Sequence, residues 1–209
     1  MKYNGFFMWL FGGTMKKVIA KHYGKDYAKD IMKKSKDVYR NIIEDAEDIG
    51  GMKNPLGYNY YFAFAFISPY IASNKEIKPE VIHEMMKESL YKVKFIFKLM
   101  NVNTKNGKKR FMMAVSKYIK WYDEENQKKY PNSFDVTTDN SPNENACWYK
   151  ISRCPICMTC DKLGVREIMP CLCELDNLMT KFAHGKLKRE HTIAKDGDYC
   201  DYLVIGDKQ

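Results

Sequence analysis

Cysteine is the residue most concentrated where chemistry could occur. Five of the seven cysteines lie between positions 154 and 173, as Cys154-x-x-Cys157-x-x-Cys160 and Cys171-x-Cys173, and Cys200 follows later. Thiolates at such spacing could hold zinc or three corners of an iron–sulfur cluster. Two features work against metal. A helix starting at Pro155 would set Cys154, Cys157 and Cys160 along one side, where thiols can simply pack. The ferredoxin run also needs a fourth cysteine after three further residues, and Gly164 stands there. Carboxylates and cations accompany the thiols. Cys173 and Asp176 are three apart in a predicted helix and share a face. Cys173 is a candidate nucleophile if its thiol pKa is lowered, and Asp176 or Asp201 a candidate general base. Arg189 offers a two-pronged grip on a carboxylate. Cys200 and Asp201 are strand neighbours that should point to opposite faces, and Arg189 and His191 share a strand face opposite Thr192. No H-x-x-H or H-E-x-x-H pair, Walker loop, dinucleotide fingerprint or G-x-S-x-G elbow is present.

Four pieces in order carry a resemblance. They are Arg153-Cys154-Pro155, Cys173-Glu174-Leu175-Asp176, Arg189-Glu190-His191-Thr192, and the run from Gly197-Asp198 through Tyr199-Cys200-Asp201-Tyr202. Over about residues 149–203 the chain resembles the L-2-amino-thiazoline-4-carboxylic acid hydrolase family. Tyr202 stands where that family favours Phe, and Cys157, Cys160 and Cys171 are additions to its pattern. The resemblance implies a hydrolase that opens a cyclic isothiourea carrying a carboxylate to N-carbamoyl-L-cysteine, without a cofactor. It implies catalytic parts for Cys173, Asp176 and Asp201, and substrate-binding parts for Arg189, Thr192 and Cys200. The alternatives are a non-catalytic small-ligand-binding or sensor module on the same scaffold, and a zinc or iron–sulfur protein using Cys154, Cys157 and Cys160.

Composition sets the frame. The 209 residues are 45% hydrophobic and carry a formal net charge of +9, enough apolar content for a folded core and too much for a disordered chain. The lysines are spread through helical patterns without a zinc-finger, RNA-recognition or KH signature, so the expected partner is a small molecule rather than a specific nucleic acid. Residues 5–13 are apolar but short and precede Lys16-Lys17 without a cleavage site, and Tyr58 to Ser73 is interrupted by Pro69. A cytoplasmic location with reduced thiols and no membrane partner is expected.

The periodicity divides the chain into a helical region, 1–130, and an α+β region, 131–209, expected to form one compact domain. Helices are predicted over about 14–48 (dented or broken at Gly24), 56–71 (ended or kinked by Pro69), 79–100 and 109–125, with a turn at 103–107. A strand at 133–139, a turn at 140–145 and a strand at 146–153 follow. Helices at 155–163 and 166–179, the second broken or bent by Pro170, precede strands at 186–194 and 199–205 joined by a tight turn at Asp196-Gly197-Asp198. The expected fold is α+β with a mostly antiparallel sheet of about four strands. The helical half could lid a pocket or mediate a homodimer.

Overall fold

The computed structural model describes residues 1–143 and 145–208. The element expected over 14–48, dented or broken at Gly24, is broken there into α1 (Phe6–Tyr23) and α2 (Lys25–Asp45). They separate at Gly24, whose φ of +90° and ψ of 161° no helix contains. The apolar run at 5–13 supplies the first half of α1, with Met8 and Phe11 buried. A 3-10 turn at Gly51–Lys53 leads to α3 (Gly57–Ala72), which is sheathed on nearly every side. Pro69 does not end α3. The Ala65 carbonyl that loses its usual N–H partner accepts the Ser68 hydroxyl at 3.1 Å, and the helix continues.

α4 spans Pro79–Lys98. The helix expected over 109–125 is three short ones: α5 (Lys105–Phe111), α6 (Met113–Trp121) and α7 (Glu124–Lys129). Thr104 caps the first by accepting from the Gly107 N–H, and Asp123 caps the third by accepting from the Asn126 N–H. β1 (Asp135–Thr137) and β2 (Cys147–Arg153) flank the expected turn, of which residue 144 lies outside the described residues. α8 (Pro155–Lys162) follows. The helix expected over 166–179 is divided into a 3-10 turn at Arg166–Ile168, α9 (Met169–Cys173) and α10 (Leu175–Phe182). Pro170 sits in the first turn of α9, where its missing N–H costs nothing.

β3 (Gly185–Lys188) and β4 (Cys200–Gly206) complete an antiparallel sheet of order β1-β2-β4-β3, so the protein is α+β as expected. One expectation fails here. The strand predicted to reach 194 stops at Lys188, and Arg189, His191 and Thr192 lie on a loop. The Asp201 carboxylate accepts the N–H groups of Glu190 and His191, which removes them from any ladder. Thr192 then caps a 3-10 turn at Ile193–Lys195, and Asp196 closes it at φ +61°. A long loop rather than a tight hairpin therefore joins β3 to β4.

The apolar core runs through both halves. Buried residues of α1 to α4 form one cluster with Ile156, Cys160, Ile168, Leu172 and Leu175. The 3-10 turn before α3 approaches it so closely that a Cβ on Gly57 would lie 2.0 Å from the Gly51 carbonyl oxygen. Gly57→Ala is expected to lower stability by about 1–3 kcal/mol, because backbone rather than a flexible side chain must give way. The readout is a lower urea midpoint at unchanged slope; an unaltered midpoint would contradict this approach.

Candidate active site

β2 and β4 pair in a register that sets Tyr149 against Tyr202 and Ile151 against Cys200. Alternation places these four on one face and the Lys150–Asp201 pair on the other. The Tyr149 and Tyr202 rings stack with centroids 4.3 Å apart and planes at 10°. Their face meets the junction of α9 and α10. There the Tyr202 hydroxyl donates to Asp176 Oδ2 at 3.2 Å, and Arg189 Nη1 donates to the same oxygen at 2.9 Å. Arg189 Nη2 donates to the Cys173 carbonyl at 2.7 Å, and the guanidinium lies 4.8 Å from the centre of the Tyr202 ring. Asp176 Oδ1 accepts no hydrogen bond among the described residues.

The electrostatics follow from this crowding. Burial pushes the Asp176 carboxyl above the usual range, while the charge of Arg189 and the bonds from Arg189 and Tyr202 pull it back. Burial also disfavours the charge on Arg189, but the Asp176 carboxylate outweighs it and holds the guanidinium firmly protonated. Tyr149 and Tyr202 are raised by burial and then by the charge of Asp176. Tyr58, at the start of α3, is 40% exposed, yet burial is the main cause of its raised pKa, with the Asp176 charge adding to it. The Tyr58 phenol is thus crowded by protein and still reached by water. The Asp176 side chain, 29% exposed, and the half-buried Cys154 and Cys173 share that character.

The thiols near Asp176 and β4 are not equivalent. Burial, then the charge of Asp176, pushes Cys173 up, so its sulfur stays protonated at neutral pH. Cys200 Sγ accepts the Ile193 N–H at 3.3 Å and lies 3.5 Å from Thr192 Oγ1, and burial still raises it. Cys154 goes the other way. The neighbouring Cys157 thiol is the main cause of a lowered pKa; burial opposes, and the nearby N–H groups of Cys157 and Ile156 and the charge of Arg166 assist, although the sulfur makes no capping hydrogen bond. Cys154 is the extended N-cap of α8, with Pro155 in the first turn. That position favours an anion. Cys157 is pushed up in turn by Cys154, and burial does the same to Cys160.

The structure thus brings Cys173, Asp176, Arg189 and Cys200 into one neighbourhood, and Thr192 touches it through Cys200. It places Asp201 elsewhere. Asp201 is on the opposite sheet face, 8% exposed, with both oxygens engaged by the 190–191 backbone. Among the described residues, no three His, Cys, Asp or Glu side chains gather as a metal would need. Sequence reasoning passed over Tyr58, Tyr149, Tyr202 and the separate character of Cys154. For Cys154 a signal existed, since Cys-Pro opening a helix puts a sulfur among free N–H groups. For the tyrosines only the register could reveal the convergence.

Comparison with known proteins gives one family: the sequence model described as L-2-amino-thiazoline-4-carboxylic acid hydrolase matches residues 58–204. No curated protein and no solved structure matches the chain.

The order of the thiols can be checked by alkylation. A thiol with a depressed pKa keeps its thiolate below the value of about 8.5 at which an ordinary cysteine titrates. Iodoacetamide at neutral pH should therefore label Cys154 well ahead of Cys173, Cys160 and Cys200, and lowering the pH should slow it later than a free cysteine. Peptide mapping that finds Cys154 among the slow sites would refute the ordering.

Proposed function

The chain belongs to the L-2-amino-thiazoline-4-carboxylic acid hydrolase family, and on that premise we propose that it hydrolyses a small cyclic amidine-like substrate such as L-2-amino-thiazoline-4-carboxylate. The observation that carries the reading is Asp176, which is bonded through one oxygen to Arg189 and Tyr202 and has its other oxygen free. A carboxylate whose pKa is raised by burial is a stronger base than one in water. Oδ1 can accept a proton from water or hold the N–H groups of a cationic amidine. Arg189, with two nitrogens engaged, offers a substrate carboxylate its charge and a remaining N–H.

The reaction begins with water adding to the ring carbon between nitrogen and sulfur, as its proton passes to Asp176. Collapse of the tetrahedral adduct breaks the C–S bond, and the departing sulfur takes the proton. The product is N-carbamoyl-L-cysteine, with the water oxygen in its carbamoyl group. Tyr58, Tyr149 and Tyr202 would wall the ring and limit competing water. Cys173, protonated at neutral pH, would line the site and supply its carbonyl to Arg189. Asp201 would hold the loop that carries Arg189, and Thr192 with Cys200 would fix that loop against β4.

The thiolate character of Cys154 favours a covalent form of the same reaction. Its sulfur would attack the same carbon, the ring C–S bond would break, and the product thiolate would be protonated. Water, activated by Asp176, would then release the carbamoyl product and return Cys154 as thiolate.

The purified protein should convert 2-aminothiazoline-4-carboxylate to N-carbamoyl-L-cysteine, read by mass spectrometry and by appearance of the new thiol. Asp176→Asn should lower kcat about a hundredfold or more with the fold retained. Cys173→Ala should keep most of the turnover. Loss of turnover in Cys154→Ser selects the covalent route, and its survival selects direct attack by water. Full activity of Asp176→Asn would remove the carboxylate from either route.

A further inference from the structure

The charge of this chain is not evenly distributed. It carries 35 basic and 26 acidic residues, and residues 89–122 hold nine of the basic ones and no acid; the remainder is balanced, 26 against 26. The entire excess of +9 therefore sits on the end of α4, on α5 and on α6. Eight of the nine are lysines: Lys92, Lys94, Lys98, Lys105, Lys108, Lys109, Lys117 and Lys120; the ninth is Arg110. Among the described residues none of them forms an ion pair, although six lysine or arginine ion pairs occur elsewhere in the molecule.

The same stretch is unusually apolar on its outside. Of the twelve large hydrophobic side chains that are exposed among the described residues, Tyr91, Phe95, Ile96, Leu99, Met113 and Ile119 belong to it. Tyr91, Phe95 and Leu99 follow one another at four-residue steps and form a single stripe along the end of α4. Phe95 is 64% and Leu99 62% exposed. The helix has its fully buried residues up to Leu90; beyond it only Val93 and Phe97 still pack against the core, and the other side chains face outward. Arg110 Nη1 donates to the Leu99 carbonyl at 3.2 Å, which ties α5 to the tip of α4. Beside that tip lies an open groove of about 390 Å³, lined by Asn106, Lys109, Arg110 and Met113.

We propose that this face, formed by the end of α4 with α5 and the start of α6, docks the protein peripherally on an anionic phospholipid bilayer. Apolar tips ringed by lysines suit a surface that is negative at its headgroups and oily beneath them. Phe95, Ile96, Leu99 and Met113 enter below the headgroups, while Lys94, Lys98, Lys109 and Arg110 stay among the phosphates. No helix of the protein is long and apolar enough to cross a membrane among the described residues, so the contact rests on the surface. A second copy of the chain is a poor occupant, because this face would meet its own uncompensated positive charge. A nucleic acid would satisfy the cations and leave the protruding Phe95 and Leu99 in water, and it is bound more often through arginine's fork than through lysine. This inference does not depend on the catalytic reading, since none of these side chains belongs to the candidate active site.

The test is sedimentation of the full chain with vesicles. Vesicles of phosphatidylcholine with about 30% phosphatidylserine should carry the protein down, and pure phosphatidylcholine should not. Raising the salt from about 0.1 M to about 0.5 M should weaken binding severalfold, because the screening length falls from about 10 Å to less than half of that. Phe95→Ser with Leu99→Ser, and separately Lys94→Glu with Lys98→Glu and Lys109→Glu, should each lower the partition coefficient about tenfold or more. All five positions are exposed, and unchanged circular dichroism confirms folded variants. Absence of binding to the anionic vesicles overturns the proposal. So does binding that survives the charge reversals, binding to an oligonucleotide that the vesicles cannot compete away and that persists in Phe95→Ser with Leu99→Ser, or a concentration-dependent dimer in light scattering that those serines abolish.

Discussion

One guanidinium holds the candidate site together. Arg189 binds the Asp176 carboxylate with one nitrogen and the Cys173 carbonyl with another, while its face lies against Tyr202. A single side chain thereby fixes the end of α9, the first turn of α10, the 189–199 loop and the face of β4. Breaking a buried ion pair by removing one partner costs about 3–5 kcal/mol, and partial solvent contact at Asp176 makes the figure smaller here. Stability is only part of its effect. The pair leaves the second Asp176 oxygen without a hydrogen bond among the described residues, and it keeps a positive charge beside a carboxylate that burial would otherwise neutralise.

The constraint on Arg189 comes from the opposite side of the sheet. Had the strand expected over 186–194 formed, Arg189 would have been one step of an alternating ladder. Instead Asp201 withdraws the Glu190 and His191 N–H groups from pairing, and the chain leaves the sheet at Lys188. An aspartate on the far face of β4 thus determines where an arginine on the near face can reach. The strand alternation that separates Asp201 from Tyr202 is what allows these neighbours two different tasks.

This explains which features were legible in the sequence. The α+β class, the helices at 57–72 and 79–98, and the strand at 147–153 were visible because burial on one face writes a period into the residues. The breaks were harder. Gly24 announced itself, but Thr104 caps a helix that starts inside a polar run read as a turn at 103–107, and the Asp123 cap lies inside the stretch expected as one helix over 109–125. Pro69 misled because the compensating bond comes from Ser68, a contact that spacing does not reveal. In the site, Cys173, Asp176 and Arg189 could be named from residue type and order. Asp201 could be named but not placed, since placement depends on register. Tyr58 could not be named at all, because it arrives from a helix ninety-odd residues before β2.

The cysteines show why residue type alone underdetermines chemistry. Cys154 and Cys173 are both half-buried and both stand at helix ends, yet they differ in what surrounds the sulfur. Cys154 occupies an N-cap, where free N–H groups and the Cys157 thiol supply positive ends of dipoles. Cys173 closes α9, where carbonyls face outward and Asp176 adds a negative charge. A thiolate is therefore favoured at the first position and disfavoured at the second. The sulfur whose surroundings favour a thiolate is thus the one before α8, not the one that ends α9. A route through Cys173 would first have to overcome the carboxylate that the rest of the site is built to hold.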